Sequence, residues 1–265
     1  MSSQNKTSQA LHERTVLDRV VDMVQGGNLD NFFGFTSEDT KRFCEAFESL
    51  QQNQETKFPD FYNDSACIEL FRISSSEVLR HGGALQEMQD GELRKTIAKD
   101  DAEAEKGFAH ERRTYIKEHP AHSYENLSKS LRSQCGKHLA SLRSCKKEFK
   151  TRIFVIEYRE VDIQCAFKPA GTCDYEGLRI GDLLPIYKER RQWGLYRLSR
   201  DKVNLLWLQS NLQDVDFLVF LGNKHIEAIN HRNADVLAKF LPWELIPMQA
   251  PSFTLATSVY LSKEA

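Results

Sequence analysis

The run TRIFVIEY at residues 151–158 constrains the fold more than any other segment. Ile153, Phe154, Val155 and Ile156 follow one another without a polar break. Successive strand residues point to opposite faces, so a strand here is apolar on both sides and belongs inside a sheet with packing on each face. Upstream, ACIELFRIS at 66–74 is a second strand candidate rich in aromatic and β-branched residues. Between the two, YENLSKSLRSQCGKHLASLRSCKKEF carries Leu127, Leu131, Cys135, Leu139 and Leu142 at helical spacing, with Ser123 as the opening cap. Downstream, DKVNLLWLQSNL reads as a helix and DVDFLVFLGNKHIEAIN as a strand with a turn. Helix and strand alternate, which places the chain in the α/β class.

Two further helices precede the strands. ALHERTVLDRVVDMVQGG spaces Leu11, Val16, Leu17, Val20, Val21 and Val24 on one side and stops at Gly26-Gly27, after a start of ten polar residues expected to fray. TSEDTKRFCEAFESLQQ opens at Thr36 or Ser37 and places Phe43, Phe47 and Leu50 on one face. Residues 58–63 and 66–74 then read as a hairpin turned over Asn63, Asp64 and Ser65.

Three regions resist that pattern. From 76 to about 122 the chain is charged and poor in apolar residues, as expected of a solvent-facing helix or a mobile excursion. The Gly- and Pro-containing segment from about 165 to 193 reads as an irregular insert, and the Pro-rich tail after Leu241 as an edge strand. With no repeat and no clean linker, one domain over 1–265 is expected, its first 35 or so residues a helical extension.

Composition narrows the function classes less than the pattern does. A net charge of −2 gives no global basic field, so any polyanion must be met by a local patch. The six cysteines show no CxxC pair and no zinc-finger spacing. No apolar run follows the polar start, and no ~18-residue uncharged apolar stretch occurs, so neither signal peptide nor membrane span is expected. The expected location is cytoplasmic, with reduced thiols.

The chemistry candidates sit in the hairpin. FPDFYNDSACIELFRISSS puts Asp60 after Pro59 and Glu69 in the middle of an apolar strand, where an unpaired carboxylate is costly. A turn between them can bring both acids to one edge, as a hard divalent cation requires. Pro59-Asp60, eight residues, then Glu69 resembles the PD-(D/E)xK signature of restriction-endonuclease-like nucleases. The string FPDF followed by IELF and ISSS is also similar to a group of bacterial proteins with an FPDF and IEHFQVTSS-type pattern. That likeness extends more weakly to IFVIEY and DVDFLVF.

The first resemblance implies a mixed β-sheet flanked by helices and Mg²⁺- or Mn²⁺-dependent phosphodiester hydrolysis, with DNA as the expected partner and RNA as the second. It implies no membrane, and it allows a homodimer and a role in defence against foreign DNA. Asp60 and Glu69 would be the metal ligands, with Glu45 or Glu48 on the preceding helix as a third acid. Where the signature has lysine, two residues after Glu69, this chain has Phe71. Arg72, Arg80 or His81 would then supply the missing cation, although strand alternation turns Arg72 away from Glu69. The alternative is a nuclease-fold protein without catalysis that binds nucleic acid or another partner.

Two basic faces are candidate nucleic-acid surfaces: Lys146 and Lys147 on the long helix that reads from Ser123 to Phe149, and Arg190, Arg191 and Arg197 among Trp193 and Tyr196. Other constellations are weaker. HPAH spaces His119 and His122 around a proline, HER at His12 lacks the rest of HExxH, and LGNK lacks the glycines of a phosphate loop. Ser74-Ser75-Ser76 followed by Glu77 reads as a helix cap rather than a nucleophile.

Overall fold

The computed structural model describes residues 3–26, 31–53, 58–76, 95, 111–119, 121–160, 163–169, 192–222, 225–240, 243–247 and 253–261. Its frame is a mixed seven-stranded sheet. In chain order the elements that build it are α1 (Ser3–Gln25), β1 (Phe32–Phe33), α2 (Ser37–Glu45), β2 (Gln51–Gln52), β3 (Phe61–Tyr62) and β4 (Ala66–Arg72). After β5 (Glu111–His119) come α3 (Tyr124–Ser144), β6 (Thr151–Glu157), β7 (Gln164–Pro169), β8 (Gln192–Leu195), α4 (Lys202–Asn211), β9 (Phe217–Leu221) and β10 (Ile226–Ile229). The chain closes with α5 (Ala234–Phe240), β11 (Trp243–Pro247) and β12 (Phe253–Leu261).

Strand order in the sheet is β1-β10-β9-β6-β4-β3-β2. β2, β3 and β4 pair antiparallel, whereas β4, β6 and β9 run parallel at the centre. The apolar run that opened the sequence is thus the middle strand, with Ile153, Phe154, Val155 and Ile156 all buried. Its alternating sides face two cores. Ile153 and Val155 join Val16, Leu17 and Val20 of α1 and Phe43 of α2. Phe154 and Ile156 join Leu127, Leu131 and Cys135 of α3 and Leu205 and Leu208 of α4. The α/β class holds, with helices on both faces.

Several boundaries differ from the sequence expectation. α1 begins at Ser3 rather than after the polar start. Gln52 Nε2 of β2 donates to the Ala10 carbonyl (2.9 Å), which links that point of the helix to the sheet edge. α2 is capped by Thr36 as expected, its Oγ1 accepting from Asp39 N while Asp39 Oδ2 accepts from Thr36 N. It stops at Glu45, however; Ser49 turns the chain with φ 53°, and Gln51–Gln52 form the edge strand β2 instead of a last helical turn.

The charged segment ends in a strand: β5 pairs antiparallel with β12 along its length. The insert at 165–193 is bounded by strands as well, β7 pairing with β8 on one side and β11 on the other, while 170–191 lie outside the described residues. The tail supplies two edge strands where one was expected, β11 and β12, each in a small sheet of its own. Among the described residues, no helix is long and apolar enough to cross a membrane.

Candidate metal centre in the hairpin

The hairpin is set by local chemistry. Asn63 Oδ1 accepts from Ser65 N (2.9 Å) and Ala66 N (2.7 Å), the side-chain-closed turn that Asx residues favour. Its Nδ2 donates to the Glu48 carbonyl (2.8 Å), which anchors the turn to the end of α2. Register pairs Phe61 with Ile68 and Tyr62 with Cys67, so β3 is only two residues long and Asp60 precedes it instead of lying within it. Asn53 fixes the approach, its amide N donating to the Asp60 carbonyl (2.8 Å) and its Nδ2 to the Pro59 carbonyl (2.9 Å).

Because β3 is so short, the amide of Leu70 has no strand residue to bond on that side. The Asp60 carboxylate takes its place, Oδ2 accepting from Leu70 N at 2.7 Å. Glu69 is 7% exposed and lies on the α3 face of β4. His138 Nδ1 lies 2.7 Å from its Oε1, while Oε2 is buried with no hydrogen-bond partner among the described residues. Burial and then the neighbouring Glu69 charge push the Asp60 carboxyl up to about 8, against the opposing effect of the Leu70 amide; Glu13 adds to the rise. The Glu69 charge acts on Asp60, and among the described residues one Glu69 oxygen has no donor. A cation or a proton resolves that arrangement.

Two carboxylates are the kind of oxygen donor a hard cation takes. Mg²⁺ commonly takes one or two carboxylates and completes its shell with water and phosphate oxygens. Among the described residues no group of three or more His, Cys, Asp or Glu gathers to hold a metal, so this centre offers two acids. Glu45 is exposed on α2 with Lys41 at 3.8 Å, and Glu48 is exposed beyond it. Neither is among the charges that act on Asp60; that third acid is Glu13, on α1.

Phe71 stands on the same face as Glu69, where the signature has lysine. Its ring stacks on His138 with centroids 4.4 Å apart and planes 8° from parallel, and it meets Phe154 edge-on. Arg72 turns to the other face, as alternation predicts, with Nε 3.2 Å from Glu157 Oε2. There His12 and Arg159 complete an ion cluster around the buried Glu157. The structure thus does not bring Arg72 to Glu69. Arg80 and His81 lie outside the described residues.

His138 and Glu13 were missed by the sequence reading. For His138 a signal existed, since it falls between Cys135 and Leu142 on the apolar stripe of α3 and so had to face the sheet. Glu13 carried none, being one polar residue among several on α1.

The basic candidates are scattered. Lys147 lies over the ring of Tyr62 in β3 (4.7 Å) and over Phe149 (4.9 Å), and Lys146 beside it is exposed. Arg197 is half-buried and acts on Glu227 and His225. Arg190 and Arg191 are outside the described residues.

The serine run gathers on a carboxylate, and the helix it was expected to cap lies outside the described residues. Ser74 Oγ, Ser75 N, Ser75 Oγ and Ser76 N all donate to Glu160, and His122 of the HPAH segment joins the same carboxylate at 3.2 Å. This network staples the ends of β4 and β6 to the start of α3. Compared with family profiles, curated proteins and solved structures, the chain matches none.

Proposed function

We propose that this protein is a restriction-endonuclease-like, Mg²⁺- or Mn²⁺-dependent nuclease that hydrolyses phosphodiester bonds, DNA first. The observation that carries the reading is the pair Asp60, half-buried, and Glu69, buried: together with burial the Glu69 charge raises the Asp60 pKa to about 8, and among the described residues Glu69 Oε2 has no partner. His138 meets the other oxygen of Glu69, so the Asp60 side of the pair is where a cation would be held. Support of a second kind comes from the order of elements, the 58–74 hairpin followed through α3 by the parallel strand β6.

Asp60 and Glu69 would hold the cation. When bound, it would polarise a phosphoryl oxygen and lower the pKa of a water that attacks phosphorus. The chain itself fixes the two acids, through the Leu70 amide on Asp60 and His138 on Glu69. Lys147, poised on Tyr62 beside the hairpin, would meet a backbone phosphate.

A second reading draws on Phe71. Without lysine at that place the fold would keep its polynucleotide surface and have lost the chemistry, leaving a binding or interaction module. Purified protein with Mg²⁺ or Mn²⁺ on double- and single-stranded DNA and on RNA separates the two. Cleavage that disappears in Asp60→Ala and Glu69→Ala supports the nuclease. Cleavage that survives both substitutions sinks the site, and binding without cleavage of any substrate favours the module.

A further inference from the structure

Glu69 and Phe71 are neighbours on one face of β4, and α3 crosses above them. The α3 stripe that packs on this face runs through Leu131, Cys135, Leu139 and Leu142, so a side chain at 138 must also look towards the sheet. A leucine would suit the apolar surroundings. Instead the position holds an imidazole, 18% exposed, flat against Phe71 and 2.7 Å from Glu69 Oε1. Stacking fixes the ring plane. A carboxylate facing this nitrogen accepts from it when the imidazole carries its proton on Nδ1. No protein partner for Nε2 is present among the described residues.

We propose that His138, seated on Phe71, is the positioning residue of the metal centre: its Nδ1–H occupies Oε1 of Glu69 and leaves Oε2 as the oxygen offered to a hard divalent cation. The inference rests on the metal-dependent reading of Asp60 and Glu69. It gives Phe71 a function in the place where the resemblance expects lysine, because the aromatic ring is the platform that sets the imidazole. It also accounts for the asymmetry of the Glu69 carboxylate, one oxygen held and one orphaned in the same buried group. Hydrogen bonds of this kind orient a metal-binding side chain from behind. A histidine present only for packing would have no need to face a carboxylate, since apolar residues fill such a place at no desolvation cost.

The test uses the full chain and Mn²⁺ alone, with affinity read by calorimetry and by the Mn²⁺ signal in electron paramagnetic resonance. His138→Ala is expected to weaken Mn²⁺ binding about 10- to 100-fold, the usual effect of removing such a partner. His138→Asn, whose amide can donate to the same oxygen, is expected to recover most of the loss, and Phe71→Leu to show a smaller loss than His138→Ala. Independently of metal, ¹⁵N spectra of the metal-free protein are expected to place the His138 proton on Nδ1. The rise in Tm on adding Mn²⁺ is expected to shrink in His138→Ala, which a purely structural histidine would not cause.

Wild-type Mn²⁺ affinity in His138→Ala, or a proton found on Nε2 alone, overturns the positioning role while leaving the metal centre standing. Wild-type protein that binds no Mn²⁺, with Asp60→Ala and Glu69→Ala equally silent, overturns the metal centre and the positioning role together.

Discussion

Two of the carboxylate sites along this sheet are built in opposite ways. At the carboxyl end of β4 and β6, Glu160 receives donors from Ser74, Ser75, Ser76 and His122. Burial alone would raise its pKa, yet those hydrogen bonds outweigh it and hold the carboxyl below its usual range. In the hairpin, Asp60 has the Leu70 amide as its one donor among the described residues, and its pKa moves the other way, up to about 8. The same sheet therefore contains one acid whose charge the protein satisfies and another whose charge it leaves unsettled. A fold has no stability reason to do the second. Unsettled buried charge is where a ligand or a proton enters the balance.

The comparison breaks most visibly at Glu160. Glu160→Ala would strand the Ser75 and Ser76 amides and two hydroxyls that now converge on one carboxylate. Removing one side of such a buried charged network costs about 3–5 kcal/mol. Urea unfolding monitored by fluorescence is expected to show that loss, with or without divalent cation. A change under about 1 kcal/mol would mean that these donors find water instead, and the contrast with Asp60 would lose its basis.

At Asp60 the expected sign reverses. Asp60→Asn keeps an acceptor for the Leu70 amide and removes the charge that repels Glu69, so the metal-free protein should gain about 1 kcal/mol. The pH dependence follows from the same pair. The Asp60 carboxyl sits at about 8 in the folded protein against 3.8 for the ordinary group, so between those values the folded state binds more protons than the unfolded one. Stability of the metal-free protein therefore falls as pH rises through that window. Glu157 and Glu160, held low, contribute in the opposite sense and lose their stabilisation only as pH falls below the ordinary carboxylate range. Thermal unfolding from pH 5 to pH 8.5 should show Tm declining in wild type, a flatter curve in Asp60→Asn, and a flatter curve again when Mg²⁺ or Mn²⁺ replaces the proton. A Tm that climbs across this range would remove Asp60 as an unsettled charge.

What could be read from the sequence divides along the same line. Patterns that one element carries by itself were legible: the unbroken apolar run of β6, the α3 stripe, the Thr36 and Ser123 caps, the Asn63 turn, and the two acids of the hairpin. Patterns that need a distant partner were not. β5 is charged and apolar-poor, and it becomes a strand because β12 pairs with it from the far end of the chain. Glu160 looks like any surface glutamate until the ends of β4 and β6 meet. Glu45 and Glu48 had the right residue type and neighbourhood in sequence, but the early end of α2 leaves them facing solvent, and α1 brings Glu13 towards Asp60 instead. Arg72 followed alternation to the opposite face, and only the packing of α3 revealed that His138 was the basic residue over Glu69.

The smallest expected effect tests whether the unsettled site faces a polyanion. Lys147 is exposed, with its ammonium over the rings of Tyr62 and Phe149, a contact worth about 0.5–1 kcal/mol at an exposed position. Lys147→Met should therefore change unfolding stability by no more than that. If the hairpin end of the sheet meets a nucleic-acid backbone, the same substitution should weaken DNA binding across sequences and reduce the slope of log affinity against log salt by about 1, the signature of one lost phosphate contact. Fluorescence anisotropy with labelled duplex at several salt concentrations reads both quantities. An unchanged slope would place the phosphate path elsewhere, and the unsettled pair of Asp60 and Glu69 would then need a ligand that does not run past Tyr62.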